Sequence, residues 1–315
     1  MVQEFDYNAH FIETGENPTN FVFKEDIEYF PKIQKLRQLK KENITKSKLH
    51  PPLHIKADLR KSDLCELLRC QFDVILVDPP WYEYHARAGG FPPKCSHKES
   101  LAAWSFEEIQ SLPIELISSS PSFCFIWCGN KHVEQATACL LKWGFRRIED
   151  ICWVKTNEGN ATGSGLTDYL PYGSLTVLKN TKEHLLVGIK GTVQRSRDSH
   201  LIHANIDSDV VIAPQEPEFG CTRKPEEVYD IIERFCNSQR RLELFGQDHN
   251  LRHGWVTVGR DITRPTNYDP VAYNHLFDMP GAEQYIPTTA EIEKLRPKSP
   301  KSAFAHSTVL SSGAS

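Results

Sequence analysis

Short apolar runs bounded by chain breakers alternate with segments of helical period along this sequence. Phe72-Asp73-Val74-Ile75-Leu76-Val77, Ser122–Trp127, Ile148–Val154, Glu183–Lys190, Arg241–Gly246 and Trp255–Gly259 predict strands; the most continuously apolar of them read as buried on both faces. Leu53–Ala57 alternates and predicts a further short strand. Helices are predicted between them. Ser62 or Asp63 caps one that runs to Leu68, Ser105-Phe106-Glu107-Glu108 is a capping box, and Gly144 stops a helix over 132–143. Pro225 to Cys236 is amphipathic, with Val228, Ile231, Ile232 and Phe235 on one face. From Asp26 to Lys48, Ile27, Phe30, Ile33, Leu36, Leu39 and Ile44 recur at helical spacing. The other face of this helix carries Lys32, Lys35, Arg37, Lys40, Lys41, Lys46 and Lys48, which reads as a solvated face or, less commonly, a phosphate-binding one. Strands alternating with helices predict a three-layer α/β fold around a mostly parallel sheet.

The remaining segments divide the chain. Residues 1–50 form an N-terminal extension with the basic helix, 51–265 the main domain, 266–296 a C-terminal extension and 297–315 a Ser-, Lys- and Pro-rich tail expected to be disordered. Residues 1–25 show no clear period, 191–223 read as irregular, and regularity fades after 262. The Gly-, Pro- and charge-rich stretch 82–103 directly follows a strand and is a candidate lid; 157–180 reads as a surface loop. No internal repeat is visible.

Composition narrows the ligand classes. The 315 residues carry a net charge of −4, so a nucleic-acid ligand needs local basic patches rather than the overall field. The nine cysteines form no Cys-x-x-Cys pair; Cys65, Cys124, Cys128, Cys139 and Cys152 read as reduced core thiols, and no metal is expected. Neither a signal-peptide pattern at Met1-Val2-Gln3-Glu4 nor an apolar run of membrane length is present, which points to a reducing compartment, cytosol or nucleus, and to no membrane partner.

The most informative feature is Asp78-Pro79-Pro80-Trp81 at the end of the Phe72–Val77 run. Proline ends the ladder, so Asp78 is expected at the carboxyl edge of a strand, where open α/β sheets bind ligands. A carboxylate and a neighbouring carbonyl accept hydrogen bonds from an exocyclic amine, and Trp81 offers a ring for base stacking, worth roughly 1–3 kcal/mol in nucleic-acid binders. The plainer reading is a strand and a turn. A second exit, Gly246-Gln247-Asp248-His249-Asn250, follows another strand and is a weak nucleotide signal by itself. Arg146, Arg147, Arg195, Arg197, Arg240, Arg241 and Arg252 are candidates for a nucleic-acid path, with some expected in structural ion pairs.

With Phe125-Ile126-Trp127, Glu149-Asp150-Ile151-Cys152-Trp153-Val154-Lys155-Thr156-Asn157, Lys182-Glu183-His184 and Leu244-Phe245-Gly246, the tetrapeptide occurs in the order seen in the eukaryotic adenine-N6 methyltransferases. His203-Ala204-Asn205-Ile206-Asp207, Lys190-Gly191-Thr192-Val193 and Leu295-Arg296-Pro297-Lys298-Ser299-Pro300 resemble that family's methyltransferase-like-14 branch. The resemblance covers roughly residues 5–300. It implies a Rossmann-like S-adenosylmethionine-dependent fold with permuted motif order, and a nuclear heterodimer with a catalytic or paralogous methyltransferase subunit, acting on adenosine in mRNA. Asp78, Pro79, Pro80 and Trp81 would form the catalytic motif, in which Asp78 and Pro79 orient the adenine amine and Trp81 stacks on the base. Asp58, Leu59, Asp78, Lys182, His249 and Asn250 would hold the cofactor. The pocket is expected to be intact and to support in-line methyl transfer from the sulfonium by positioning and electrostatics. The alternatives are a non-catalytic RNA-binding scaffold that activates a catalytic partner, or a DNA adenine-N6 methyltransferase. The chain departs from the catalytic branch in having Gln247 in place of an arginine and Arg260-Asp261 in place of Asn-Gln.

Overall fold

The apolar runs pair side by side into one sheet. The computed structural model describes residues 31–47, 49–82, 103–156, 181–193, 198, 207–214, 223–278 and 285–295. The strands are β1 (Leu53–Lys56), β2 (Phe72–Val77), β3 (Ser118–Cys128), β4 (Arg146–Thr156), β5 (Lys182–Lys190), β6 (Val210–Pro214), β7 (Arg241–Leu244) and β8 (Val256–Gly259). The helices are α1 (Pro31–Lys46), α2 (Leu64–Leu68), α3 (Phe106–Gln110), α4 (Ile114–Ile117), α5 (Val133–Lys142), α6 (Glu227–Phe235), α7 (Pro270–Asp278) and α8 (Ala290–Leu295). Local chemistry sets several ends. Asp63 caps α2 by accepting from Cys65 and Glu66 N–H, and the Ser105–Glu108 capping box opens α3.

The strand order is β1-β8-β7-β2-β3-β5-β4-β6. Every pair is parallel except those of β5, which runs antiparallel to β3 and β4. The mostly parallel α/β sheet is therefore present, and the one reversal has no signature in strand composition. Alternation across the sheet separates two apolar layers. Ile75, Val77, Ile126, Leu244 and Val258 meet α2, α3, α4 and α5 on one face; Val74, Leu76, Phe125, Leu185 and Trp255 meet α6 on the other.

Four elements depart from expectation. β6 lies in a stretch read as irregular: Val210–Pro214 is a five-residue strand that pairs β4, and although buried Val211 and Ala213 alternate with exposed Ile212 and Pro214, the exposed Ile212 is apolar too, so the alternation does not show as a polar–apolar period. α4 has four residues, too few to show a period. α7 and α8 lie where regularity was expected to fade; α7 is opened by Asp269, which accepts from Val271 and Ala272 N–H. The two extensions also meet. Leu36 of α1 packs on Ile292 of α8, Lys35 pairs with Glu291 at 2.6 Å, and the N-terminal helix is tied to the main domain through Asp207, shared by Arg37 and Arg234. The expected start of the first helix at Asp26, the candidate lid apart from its ends, the 157–180 loop and the tail lie outside the described residues.

Topology creates one switch point. From β7 the chain moves outward to β8, and from β2 it moves the other way to β3, so β2 and β7 are neighbours whose connections diverge. A crevice opens at their carboxyl ends. β2 precedes β7 in the chain, so the tetrapeptide strand comes before its cleft partner. Glycine is required at this edge: a Cβ on Gly259 would stand 1.8 Å from the Gly246 carbonyl oxygen.

Candidate functional site

The cleft at the switch point is lined by the ends of four strands. Asp58 and Leu59 follow β1, Asp78, Pro79 and Pro80 follow β2, Phe245, Gly246 and Gln247 follow β7, and Arg260 and Asp261 follow β8. Trp104 and Arg60 complete the wall. Sequence reasoning missed this aromatic wall. Phe245 adopts φ +66°, a left-handed conformation that costs a bulky residue energy, and its ring meets Trp104 edge-on at 4.9 Å. The Arg60 guanidinium lies over the same indole at 4.6 Å and is held by Glu108 at 2.8 Å.

Asp78 sits at the carboxyl edge, as the two prolines require, but its carboxylate is already engaged. Lys224 lies 3.4 Å away, and the same ammonium bonds Glu183 at 2.8 Å. Glu183 in turn pairs with Lys155 at 2.6 Å. Glu183, Lys224 and Lys155 have side chains no more than 7% exposed, and Asp78 is at 19%. Burial, together with the neighbouring Glu183, raises the Asp78 carboxyl to about 6 against the pull of Lys224 and Lys155. Burial also opposes ionisation of Glu183, but Lys224 and Lys155 outweigh it and hold this carboxyl well below the usual range. Lys224 is raised despite its burial, because Asp78 and Glu183 both face it. Lys224 and Lys155 were not singled out from the sequence; a lysine beside the helix-opening Pro225 carries no local signal of what it will meet.

Trp81 is not an open stacking platform. It is 1% exposed, its indole N–H donates to the Trp127 carbonyl at 2.7 Å, and His132 stacks on it at 4.8 Å with 14° between the rings. The Pro79 carbonyl accepts the Trp81 N–H at 2.8 Å, and the Pro80 carbonyl accepts that of Trp104 at 3.0 Å. The tetrapeptide thus closes a turn with its own acceptors.

The residues expected to hold a cofactor are not gathered as a set. Asp58, Leu59 and Asp78 line the cleft. Lys182 is exposed at the start of β5, paired with Val154 on the far part of the sheet. Asn250 is 8% exposed, and its amide serves the core: Nδ2 donates to Tyr229 and Glu243, and Oδ1 accepts the Gln247 N–H. His249 is half-buried beside it, and burial lowers its imidazole. The aromatic wall with Asp58 suits a purine. The side chains expected to hold ribose hydroxyls and a carboxylate do not line the same cleft: Lys182 opens β5 and Asn250 turns into the core.

The arginines do not converge either. Register places Arg146 level with Ile189, Phe123 and Val74, four residues below Asp78 and three strands across, a separation on the order of 20 Å. Arg146 is exposed there, and Arg147 is 3.6 Å from Asp150. Arg241, at 0% exposure, is a core residue near Glu233, and Arg240 packs on Phe277 at 4.3 Å. Arg252 lies 3.2 Å over the Tyr229 ring and pairs with Glu226. Arg241, Arg240 and Arg252 are therefore structural, contrary to the path expected from sequence; Arg195 and Arg197 lie outside the described residues. No cluster of metal-ligating side chains and no membrane-spanning helix occurs among the described residues.

Comparison with known proteins matches this arrangement to a family. The MT-A70 family model matches residues 72–261, from the tetrapeptide strand to the last residue of the cleft wall. The chain is 43% identical over 304 residues to the N(6)-adenosine-methyltransferase non-catalytic subunit METTL14 of Xenopus tropicalis, covering 94% of this chain and 62% of that protein. It is 47% identical over 223 residues to the non-catalytic subunit MTB of Arabidopsis thaliana, covering 69% of this chain and 27% of that one. Against the human catalytic subunit METTL3, identity is 30% over 224 residues, 71% of this chain and 33% of that protein. The chain thus spans about three-fifths of the length of the Xenopus and Danio rerio METTL14 proteins it matches. By family model, by identity and by its α/β methyltransferase fold, the chain belongs to the MT-A70 family.

Proposed function

We propose that this chain is the supporting subunit of an adenine-N6 methyltransferase assembly acting on RNA, in which a paralogous methyltransferase subunit performs the transfer. The carrying observation is the state of Asp78. Its carboxylate is spoken for by Lys224, inside a buried row of alternating charge that reaches Lys155. A carboxylate fixed this way contributes to the fold rather than waiting for an amine. The burial of Trp81 supports the same reading, as does the similarity to METTL14 and MTB, which are non-catalytic subunits.

The second reading is a working methyltransferase using S-adenosylmethionine. It is favoured by the cleft itself, which keeps Asp58 and an aromatic wall at the switch point. One experiment separates the two. Asp78→Asn, close to isosteric, is expected to leave methylation by the reconstituted pair unchanged on single-stranded RNA, measured as methyl incorporation with each subunit's site mutated in turn. A large loss from Asp78→Asn with the partner intact would establish the catalytic reading instead. Running the assay on single-stranded DNA addresses the remaining alternative, since a grip on the adenine amine would not distinguish ribose from deoxyribose.

A further inference from the structure

Residues in register on parallel neighbouring strands point to the same face. Glu243 of β7 is in register with Thr257 of β8, and Thr257 with His54 of β1. The three form one row on the α6 side of the sheet, at 2%, 0% and 5% exposure. Each presents one buried polar atom with no hydrogen-bond partner among the described residues: Glu243 Oε2, Thr257 Oγ1 and His54 Nδ1.

Their other atoms fix where the protons are. His54 Nε2 lies 2.8 Å from the Pro265 carbonyl, which can only accept, so Nε2 carries hydrogen and Nδ1 of the neutral ring is an acceptor. Glu243 Oε1 accepts from the Tyr229 hydroxyl at 2.7 Å and from Asn250 Nδ2 at 2.9 Å. An ionised Glu243 would then leave the row with two unmatched acceptors, Oε2 and Nδ1, and one hydroxyl hydrogen, that of Thr257. One additional proton balances the row.

We propose that the folded chain holds that proton on Glu243, so that Oε2–H donates to Thr257 Oγ1 and the threonine hydroxyl donates to His54 Nδ1, after a side-chain rotation within the row or through a buried water. The alternative location, a buried imidazolium beside a buried carboxylate, takes two charges out of water with a residue between them. The surroundings favour the neutral acid. Asp78 at the end of β2 and Glu226 before α6 are acids facing Glu243, Lys224 is committed to Asp78 and Glu183, and Arg252 is committed to Glu226 and the Tyr229 ring. Burial raises the Glu243 carboxyl to about 8, against the pull of Tyr229 and Arg252. The row also touches the cleft: Asn250, bonded to Glu243, accepts the Gln247 N–H and so holds the turn that lines it.

Infrared spectroscopy of the full chain tests the assignment. At neutral pH the wild type should show the carbonyl stretch of an un-ionised carboxyl that disappears above about pH 8. The band should be absent from Glu243→Gln and shifted in Thr257→Val, which removes its acceptor. The unfolding free energies of wild type and Glu243→Gln give a second readout. Because the folded pKa is raised, the contribution of Glu243 is fully present below the unfolded value of 4.5 and is lost as pH rises through about 8. The amide has no such dependence, so the difference between the two proteins should slope across that window. Absence of the band from the wild type at neutral pH overturns the proposal even if the glutamine variant fails to fold, and so does a difference curve that is flat with pH.

Discussion

Replacing Lys224 by methionine is expected to destabilise the chain by about 3–5 kcal/mol at neutral pH, the range for breaking a buried ion pair from one side. Lys224 is 8% exposed and is the ammonium shared by Asp78 and Glu183. Its loss leaves two buried carboxylates, of which Glu183 keeps its 2.6 Å pair with Lys155 while Asp78 feels that lysine only from farther away. Asp78 then becomes the uncompensated charge. Its carboxyl, already raised to about 6 by burial, should rise further without Lys224. The defect should therefore shrink as pH falls, because protonation removes the unpaired charge. Denaturant unfolding at acidic and mildly alkaline pH measures this directly. Equal destabilisation at both would mean that the packing of the buried lysine side chain matters more than its ion pairs with the two carboxylates. A double variant, Lys224→Met with Asp78→Asn, should recover part of the loss.

Trp81→Ala is expected to cost about 3–5 kcal/mol, the range for truncating a large buried aromatic. The variant would lose the packing of a 1% exposed side chain and its stack on His132, and it would leave the Trp127 carbonyl without its indole donor. Trp81→Phe keeps a ring and loses the hydrogen bond, so its cost should be about 1–3 kcal/mol. The pair of variants also bears on function. A residue that stacks on a bound base loses RNA affinity in proportion to ring size while the fold stays intact. A residue that closes a turn loses stability first. Thermal unfolding of both variants, set beside RNA binding by Trp81→Phe at a temperature where it is folded, separates the two.

Much of the cleft could be read from the linear order of residues, and the reason is local. Pro79 and Pro80 cannot extend a ladder, so Asp78 had to stand at a strand's carboxyl end wherever that strand lay in the sheet. Asp63 and the Ser105–Glu108 box fixed helix starts through bonds spanning two or three residues. The alternation of buried strands and amphipathic helices likewise required a layered α/β sheet, because each such segment has to cover an apolar face.

What those residues do was decided only when distant segments met. Lys224 and Asp78 are far apart in sequence, and so are Asp78 and Glu183; their pairing depends on β2 and β5 flanking β3, with the segment before α6 folding back over the same face. The reversal of β5, the burial of Arg241 and the turning of Asn250 into the core have the same origin. Local sequence determined where β2 ends and which side chains could carry charge there. Tertiary structure decided which of those charges satisfy one another, because a buried charge takes its state from the nearest opposite charge or from a proton, and strand order sets which neighbour that is.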